Sequence, residues 1–266
     1  MSKQGENELS AVRMRVHIAP LGRNSELVTT PVIKSKADRV WLLVGDNHDD
    51  NDVEQIEQIS KTLARRKISV ECQYHDRKSV PKIMKSVKDI VELERGNILY
   101  LNMSSGTHLQ AVGLYNAAAM SEQDENIHAY CSDDSTDPNH PKANTMSDDG
   151  FEQIDTIRIQ IPERHLRESL VIITEMGKIS KKELGVMLSR KEIITPNPGR
   201  GNETQVTVTN LNQNIIIPLE RKWGLIQTEK VGRKVMVSPT KKGMMSAVFF
   251  ADSIVTRPIN MHEDAF

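Results

Sequence analysis

The stretch Asn97–Met120, NILYLNMSSGTHLQAVGLYNAAAM, contains the elements that decide the fold. Its apolar run Ile98–Leu101 predicts a buried strand, and the alanine-rich pattern from His108 onward predicts a helix. Between them, Asn102–Thr107 is a turn of small polar residues. A strand that leads through such a turn into a helix gathers backbone N–H groups at a helix N-terminus, where an anionic or sugar-phosphate ligand can bind. The alternative is a capped helix in an α/β sheet, without a ligand.

The same alternation of strand and helix recurs through the first part of the chain. The patterns predict strands over 13–19, 39–45, 68–74, 97–103, 126–132 and 153–161, and helices over 26–37, 51–67, 79–94 and 105–121. Asn51 or Asp52 is the predicted cap of the second helix, and Pro31 implies a kink or a later start in the first. The second strand, RVWLLVG, is continuously apolar, as in strands covered on both faces of a parallel sheet. We therefore predict an α/β protein with a Rossmann-like, doubly wound, mainly parallel sheet.

Ligands of doubly wound sheets bind outside the carboxyl ends of the strands, at the point where the strand order reverses. The turns after strands one, two and four lie at that edge. Edge geometry alone adds four polar candidates to the turn Asn102–Thr107. They are Arg23, Asn24, Asp46 and Asn47.

After Pro162 the pattern changes to that of a small helical domain with a hairpin. Helices are predicted over 163–176, 181–188, 202–222 and 240–252, and two short strands over 224–229 and 235–237. Ser180 begins S-K-K-E, a capping box for the second of these helices. The third is polar at first and then apolar at Leu211, Ile215, Ile216 and Leu219. This order is typical of a winged helix-turn-helix domain.

Charge supports a DNA-binding role for this second part. Residues 163–243 carry 15 Lys/Arg and 8 Asp/Glu, although the whole chain has a net charge of −1. The candidates for base and phosphate contacts are Thr204, Gln205, Thr207, Thr209, Asn210 and Asn214 in the recognition helix, Lys181, Lys182, Arg190 and Lys191 before it, and Arg233 and Lys234 in the wing. The alternative is a solvated helical bundle, or a helix-turn-helix that only contacts protein.

Several function classes are disfavoured by missing motifs. The sequence contains no G-x-S-x-G, no G-x-G-x-x-G and no Walker lysine. The acidic run Asp46–Asp52 lacks the glycine and distal glutamate of a calcium loop, and His128, Cys131 and His140 lack zinc-like spacing. We therefore predict no catalytic residues, metal or cofactor.

Composition predicts a cytoplasmic protein that does not enter a membrane. Hydrophobic residues make up 38% and charged residues 27%, and no apolar run approaches the roughly 20 residues of a membrane span. The N-terminus, MSKQGENELS, has no signal-peptide core, and the two cysteines form no CxxC motif. The predicted organisation is a disordered tail (1–12), a ligand-sensing domain (13–162), a DNA-binding domain (163–252) and a second tail (253–266).

These features together resemble archaeal CARF-type proteins (CRISPR-associated Rossmann fold) fused to a winged helix-turn-helix. The resemblance rests on the turn Leu21-Gly22 after strand one, the motif Asn102–Thr107 after strand four, and the basic winged helix. It covers about residues 13–252. Ser105 departs from the family motif, which often has a glycine there. Carried over residue by residue, the resemblance implies these ligand-binding residues: Leu21, Gly22, Asn102, Ser104, Ser105, Gly106 and Thr107.

The resemblance implies a homodimer that binds a cyclic oligoadenylate or related nucleotide and double-stranded promoter DNA. We therefore expect a ligand-responsive transcriptional regulator. Some relatives cleave the ring slowly, so a ring nuclease or another α/β hydrolase is the first alternative. A protein-interaction module without a small ligand is the second.

Overall fold

The computed structural model describes residues 12–121, 126–132, 151–194 and 208–251. These residues form two compact units that divide between Ile157 and Arg158, whereas the sequence predicts the domain boundary after Pro162. The predicted tails, 1–12 and 253–266, lie outside the described residues apart from Val12. No helix of the described ranges combines the length and apolar character that crossing a membrane requires.

The first unit alternates strands and helices, as the sequence predicts. Its strands are β1 (Arg15–Pro20), β2 (Arg39–Gly45), β3 (Ser69–His75), β4 (Ile98–Asn102), β5 (Ile127–Ser132) and β6 (Phe151–Ile154). Its helices are α1 (Glu26–Lys34), α2 (Asp50–Ala64), α3 (Val80–Leu93) and α4 (His108–Ala119).

The six strands form one sheet in the order β3-β2-β1-β4-β5-β6. Strands β1 to β5 pair in parallel, and β6 pairs antiparallel with β5. Residues Val40 to Gly45 of β2 are all buried, which explains the continuous apolar run, because helices cover both faces of a central parallel strand. The predicted Rossmann-like, doubly wound sheet is confirmed.

The sixth strand is shorter than its alternating pattern predicts. The sequence predicts strand over 153–161, but β6 ends at Ile154. Beyond that residue Ile157 is 76% exposed and Ile159 is 43% exposed. An alternating pattern forms a strand only where the apolar face has a surface to cover, and these side chains have none.

Two helix N-termini and one predicted interruption differ from the predictions. The N-cap of α2 is Asp49, not Asn51 or Asp52, because Asp49 and Asp52 form a reciprocal capping box. Helix α4 begins at His108 after the N-cap Thr107, later than the predicted Ser105. Helix α1 runs continuously from Glu26 through Pro31, so the predicted later start does not occur.

The second unit is a small domain with a three-stranded antiparallel sheet of order β7-β9-β8. Its elements are α5 (Arg164–Met176), β7 (Ile179–Ser180), α6 (Lys181–Arg190), α7 (Val208–Leu211), β8 (Ile226–Val231), β9 (Lys234–Pro239) and α8 (Lys241–Phe250). The predicted capping box of Ser180 and Glu183 is confirmed at the start of α6. The order helix, strand, helix, helix and two-stranded hairpin is that of a winged helix-turn-helix.

Helix α7 continues as two π-helical segments, Asn212–Ile216 and Pro218–Lys222. Pro218 has no N–H to donate to the carbonyl four residues earlier, so regular α-helical bonding is interrupted at this point. The apolar positions that predict this helix, Leu211, Ile215, Ile216 and Leu219, are all buried. They hold the helix against the rest of the domain and leave its polar positions outward.

Candidate functional site

The strand order places two of the predicted loops next to each other. β1 lies between β2 and β4, so the chain leaves the carboxyl end of β1 toward one side and that of β4 toward the other. Parallel sheets form a crevice at this switch point. The turn after β1 and the loop after β4 line its two sides.

The backbones of these two loops are in close contact at Gly22 and Gly106. A Cβ on Gly22 would lie 2.8 Å from the Gly106 nitrogen and 3.4 Å from its Cα. Gly106 has φ +80°, and a Cβ there would overlap the Pro20 side chain. Both positions therefore require glycine, the first for space and the second for space and conformation.

Two of the predicted ligand residues are part of the core. The Leu21 side chain is 2% exposed, and its N–H donates to the Leu43 carbonyl at 3.0 Å. Asn102 is fully buried. Its Nδ2 donates to the Leu27 carbonyl at 2.8 Å, and its Oδ1 accepts from the Ser104 N–H at 2.9 Å. The Asn102 side chain therefore fixes the loop backbone from inside the core instead of facing solvent.

Ser105 carries an unpaired polar group in the middle of the loop. It is 2% exposed, and its Oγ has no hydrogen-bond partner. A buried hydroxyl without a partner costs about 1–3 kcal/mol relative to a paired one. Such a group is a candidate for a ligand contact, because a bound acceptor or donor would remove that cost.

Thr107 ends the loop and caps α4. Its N–H and Oγ1 donate to Oε1 of Gln110 at 3.0 and 3.1 Å, and its Oγ1 accepts from the Gln110 N–H at 3.3 Å. Gln110 is fully buried, and its Nε2 lies 3.2 Å from Nε2 of His75. Burial lowers the pKa of His75, which keeps this imidazole neutral.

The sequence reasoning did not single out Gln110 or His75. The spacing T-H-L-Q from Thr107 to Gln110 is a capping-box pattern and could have identified the glutamine. His75 ends β3, which two strands separate from β4, and no short-range pattern connects it with the loop.

The candidates predicted from edge geometry lie at the surface of the same edge. Arg23, Asn24, Asp46 and Asn47 are all exposed. Asn24 accepts from the Glu26 N–H at 2.9 Å and so fixes the start of α1. The Asp46 N–H donates to the His75 carbonyl at 2.9 Å. The structure brings the two glycine-containing loops together, with these four polar residues at their periphery.

In the second unit, most of the predicted basic contacts are exposed. Lys182, Arg190, Lys191, Arg233 and Lys234 are solvent-exposed. Their contact with DNA phosphates stays a prediction.

The other predicted DNA contacts differ in their surroundings. Lys181 donates to Oδ1 of Asn212 at 2.8 Å and so connects α6 with the helix that follows it. Thr209 is exposed, and Asn214 donates to Asn210 one helical turn earlier. The structure does not describe three predicted positions at the start of the recognition helix. They are Thr204, Gln205 and Thr207.

The wing is the turn between β8 and β9. Gly232 occupies it with φ +61°, and Val231, Arg233 and Lys234 around it are exposed. Lys178 pairs with Glu229 of β8 at 2.8 Å. Because Gly232 adopts a left-handed conformation directly before Arg233 and Lys234, the hairpin tip is tight and basic.

Comparison with known families agrees with this division of the chain. Residues 165–251 match the family described as DUF6293 C-terminal winged helix domain. The C-terminal unit is therefore similar to this winged helix family. Residues 15–136 match the family described as HFX_2341_N-like, N-terminal. The predicted Rossmann-like fold followed by a winged helix domain is confirmed.

Solved structures with some similarity include two complexes with cyclic nucleotides. Csm6 from Enterococcus italicus, bound to cyclic hexa-2'-fluoro-hexa-dAMP, is 13% identical over 68% of this chain and 50% of its own, with a TM-score of 0.40. Can2 from Sulfobacillus thermosulfidooxidans, in complex with cyclic tetra-adenylate, is 12% identical over 88% of this chain and 63% of its own, with a TM-score of 0.39.

A third similar structure is the protein VC1899 from Vibrio cholerae. It is 13% identical over 89% of this chain and 64% of its own, with a TM-score of 0.39. The chain thus spans less than two thirds of the length of each of these three proteins. No curated protein matches the sequence. The assignment of the Rossmann-like fold rests on the strand order.

Proposed function

We propose that this protein is a transcriptional regulator that senses a nucleotide. In this proposal the Rossmann-like domain binds a cyclic oligoadenylate or a related nucleotide second messenger, and the winged helix domain binds double-stranded DNA. The observation that carries the proposal is the contact between Gly22 and Gly106, which joins the turn after β1 and the loop after β4 at the switch point of the sheet. In this proposal, ligand binding to the first domain regulates DNA binding by the second.

The groups around this contact suit a phosphodiester ligand. The loop Asn102–Thr107 leads into the N-terminus of α4, where backbone N–H groups and the helix dipole favour negative charge. Gly106 and Thr107 are exposed at its outer edge, and the buried Ser105 hydroxyl is unpaired. Neutral donors of this kind bind a nucleotide backbone without requiring a metal.

Binding fits these residues better than cleavage. A serine nucleophile needs a base within hydrogen-bond reach, and the Ser105 Oγ has no hydrogen-bond partner. His75 makes its contact with Gln110 instead. Slow cleavage of a bound ring is therefore the alternative that a product assay must exclude.

The homodimer is part of the proposal. Leu109 and Val112 lie three residues apart on α4, directly after the loop, and are 45% and 49% exposed. An isologous contact through this face would place two copies of the loop side by side. Such a pair would match a two-fold cyclic ligand and a palindromic operator. Light scattering of the wild type and of Val112→Glu tests this part of the proposal, which predicts a dimer and a monomer respectively.

Thermal and chemical unfolding in the presence of nucleotides tests the sensor. Cyclic tetra-adenylate and cyclic hexa-adenylate are the first probes, and linear oligoadenylates and ATP are the controls. A ligand at 100 times its Kd should raise the free energy of unfolding by about 2.7 kcal/mol. No stabilisation by any nucleotide would reject the sensor. Mass spectrometry of the same samples distinguishes a bound ring from a cleaved one.

A DNA selection with the full-length protein tests the regulator. Selected operators should bind more tightly than random duplexes, and the ligand should change operator affinity by a coupling free energy of about 1–3 kcal/mol. If DNA binds equally well with and without a ligand that stabilises the protein, the two activities are independent and the proposed regulation is wrong.

A further inference from the structure

A proline in α1 creates the acceptor that orients Asn102. In an α-helix, residue 31 would donate its N–H to the carbonyl of residue 27, but Pro31 has no N–H. The Leu27 carbonyl instead accepts from Nδ2 of Asn102 at 2.8 Å, while Asn102 Oδ1 accepts from the Ser104 N–H at 2.9 Å. The buried amide thus has a fixed orientation between α1 and the loop after β4.

The C-terminal end of α1 holds a second buried group, His17 of β1. The Ser35 hydroxyl donates its only proton to the Val32 carbonyl at 3.1 Å. Its oxygen must therefore accept from the His17 imidazole, whose Nε2 lies 2.8 Å away. Nδ1 of His17 is then the acceptor for the Tyr130 hydroxyl at 2.9 Å. One tautomer of His17, with its proton on Nε2, satisfies all three bonds.

Tyr130 connects His17 with Asn102. Its side chain is 3% exposed and forms a hydrogen bond with Asn102 as well as with His17. We call the four side chains Ser35, His17, Tyr130 and Asn102 the His17 network. Each of them is less than 10% exposed, and its ends are held by two carbonyls of the same helix. Burial lowers the pKa of His17 to about 3, so the imidazole stays neutral.

We infer that the His17 network positions the loop Asn102–Thr107 before any ligand binds. The network fixes the Asn102 amide, the amide fixes the Ser104 N–H, and the next residue, Ser105, is thereby left with its hydroxyl buried and unpaired. His17 and Tyr130 touch no ligand in this inference and act only through Asn102. The inference deepens the proposed function, because the loop it concerns is the proposed nucleotide site.

Tyr130→Phe tests this inference, with Tyr100→Phe as the matched control. Both changes remove one phenolic oxygen on the same face of the sheet, and the Tyr100 ring stacks on His17 with 5.0 Å between centroids. Tyr130→Phe removes the hydroxyl that connects His17 with Asn102. Amide exchange of Ser104 should then become at least about tenfold faster, since a lost hydrogen bond of about 1.4 kcal/mol corresponds to a factor of ten. Tyr100→Phe should change it less than twofold.

Two further measurements keep the test independent of the ligand and of folding. Nitrogen chemical shifts of His17 in the wild type should identify the tautomer with its proton on Nε2, and the opposite tautomer would overturn the inference. If Tyr130→Phe fails to fold, Ser35→Ala serves as the milder variant, and Ser35→Thr should restore wild-type exchange at Ser104. Unchanged Ser104 exchange in Tyr130→Phe, or in Ser35→Ala when that variant is used, would also overturn it.

Nucleotide affinity then separates the inference from the proposed function. If the wild type binds cyclic tetra-adenylate, Tyr130→Phe should bind it about tenfold more weakly and Tyr100→Phe as well as the wild type. Equal affinity of Tyr130→Phe and wild type would contradict the positioning role. If the wild type binds no nucleotide while Ser104 exchange responds as expected, the proposed function fails, but the inference that the His17 network positions the loop still holds.

Discussion

Gly22 and Gly106 hold the two halves of the candidate site together by a contact between their backbones. The position of a Cβ on Gly22 is only 2.8 Å from the Gly106 nitrogen, which is too close for any side chain. The turn after β1 and the loop after β4 can therefore meet only if residue 22 is glycine. This requirement makes the site sensitive to a single methyl group.

Gly22→Ala should separate the two loops. Overpacking a tight contact of this kind destabilises a fold by about 1–3 kcal/mol, and the variant should lose its stabilisation by cyclic oligoadenylates. Gly96→Ala is the control, since Gly96 has φ +93° and no atom within 4 Å of an added Cβ. It should be strained but retain the ligand response. Denaturant unfolding with and without nucleotide measures both effects, and a full ligand response in Gly22→Ala would contradict the site.

Ser105→Ala should affect stability and ligand binding in opposite directions. Removing a buried, unpaired hydroxyl leaves the free energy of unfolding unchanged or raises it, whereas nucleotide affinity should fall because the proposed contact is lost. In the control Ser169→Ala, a buried hydroxyl that donates to the His165 carbonyl at 2.7 Å is removed. That variant should lose about 1 kcal/mol of stability and keep its nucleotide affinity. A Ser105→Ala variant that is less stable and binds the nucleotide normally would contradict the proposed contact.

Acid should destabilise the first domain through His17. Burial lowers the pKa of this histidine from its ordinary value of 6.5 to about 3 in the folded protein, so below pH 6.5 the unfolded chain takes up a proton that the folded chain does not. The free energy of unfolding should then fall by about 1.4 kcal/mol per pH unit until pH 3. Burial also lowers the pKa of His75, which adds to the slope.

Replacement of His17 by Phe should therefore make the stability less dependent on pH between 6.5 and 4. His108→Gln, at an exposed position, leaves His17 in place and should keep the wild-type slope. Urea unfolding across this pH range provides the measurement. Identical slopes in His17→Phe and wild type would show that the imidazole is already charged in the folded state.

The wing should contact DNA phosphates through Arg233. Arg233→Ala should weaken binding to all sequences to a similar degree and reduce the slope of log K against log salt by about 0.9, the value for one phosphate contact. Lys61→Ala is the control, because Lys61 pairs with Glu57 on α2 of the other unit. Fluorescence anisotropy at several salt concentrations measures the slopes. Equal slopes for Arg233→Ala and Lys61→Ala would show that the wing makes no contact with DNA phosphates.

Asn210→Ala should instead relax the sequence preference, because in the proposed DNA interface this amide reads a base edge. Binding to the selected operator should weaken by about 1–3 kcal/mol, and binding to random duplexes should stay the same. A competition assay between the two duplexes measures the ratio. Equal losses of affinity for both duplexes would indicate that Asn210 contacts the DNA backbone and not a base.

The sequence predicts the fold because its main features are periodic and local. The continuous run RVWLLVG of β2 and the strand–turn–helix stretch around β4 specify a parallel sheet, and the S-K-K-E pattern specifies the start of α6. The position of the Asn102–Thr107 loop at the switch point follows from the same connection rules. These parts depend on neighbours in the sequence or on general topology.

The contacts below the loop could not be predicted in the same way. Asn102 reaches Leu27, and Gln110 reaches His75; each pair is distant in sequence and joined only by the fold. In a helix, Pro31 leaves the carbonyl of residue 27 without its usual donor, but only the structure identifies which donor takes its place. Likewise, the pattern over 153–161 alternates, and only tertiary packing ends β6 at Ile154.

The strand order has a consequence for synthesis of the protein. β1 pairs directly with β4, with Arg15 opposite Ile98, so two complete strand–helix units must fold between them. Closing so long a loop is slow, and its entropy cost precedes any gain from pairing. The two halves of the site should thus assemble late. A chain that is still being synthesised should not respond to the proposed nucleotide until β4 has left the ribosome and paired with β1. Signalling would then be restricted to molecules whose first domain is complete.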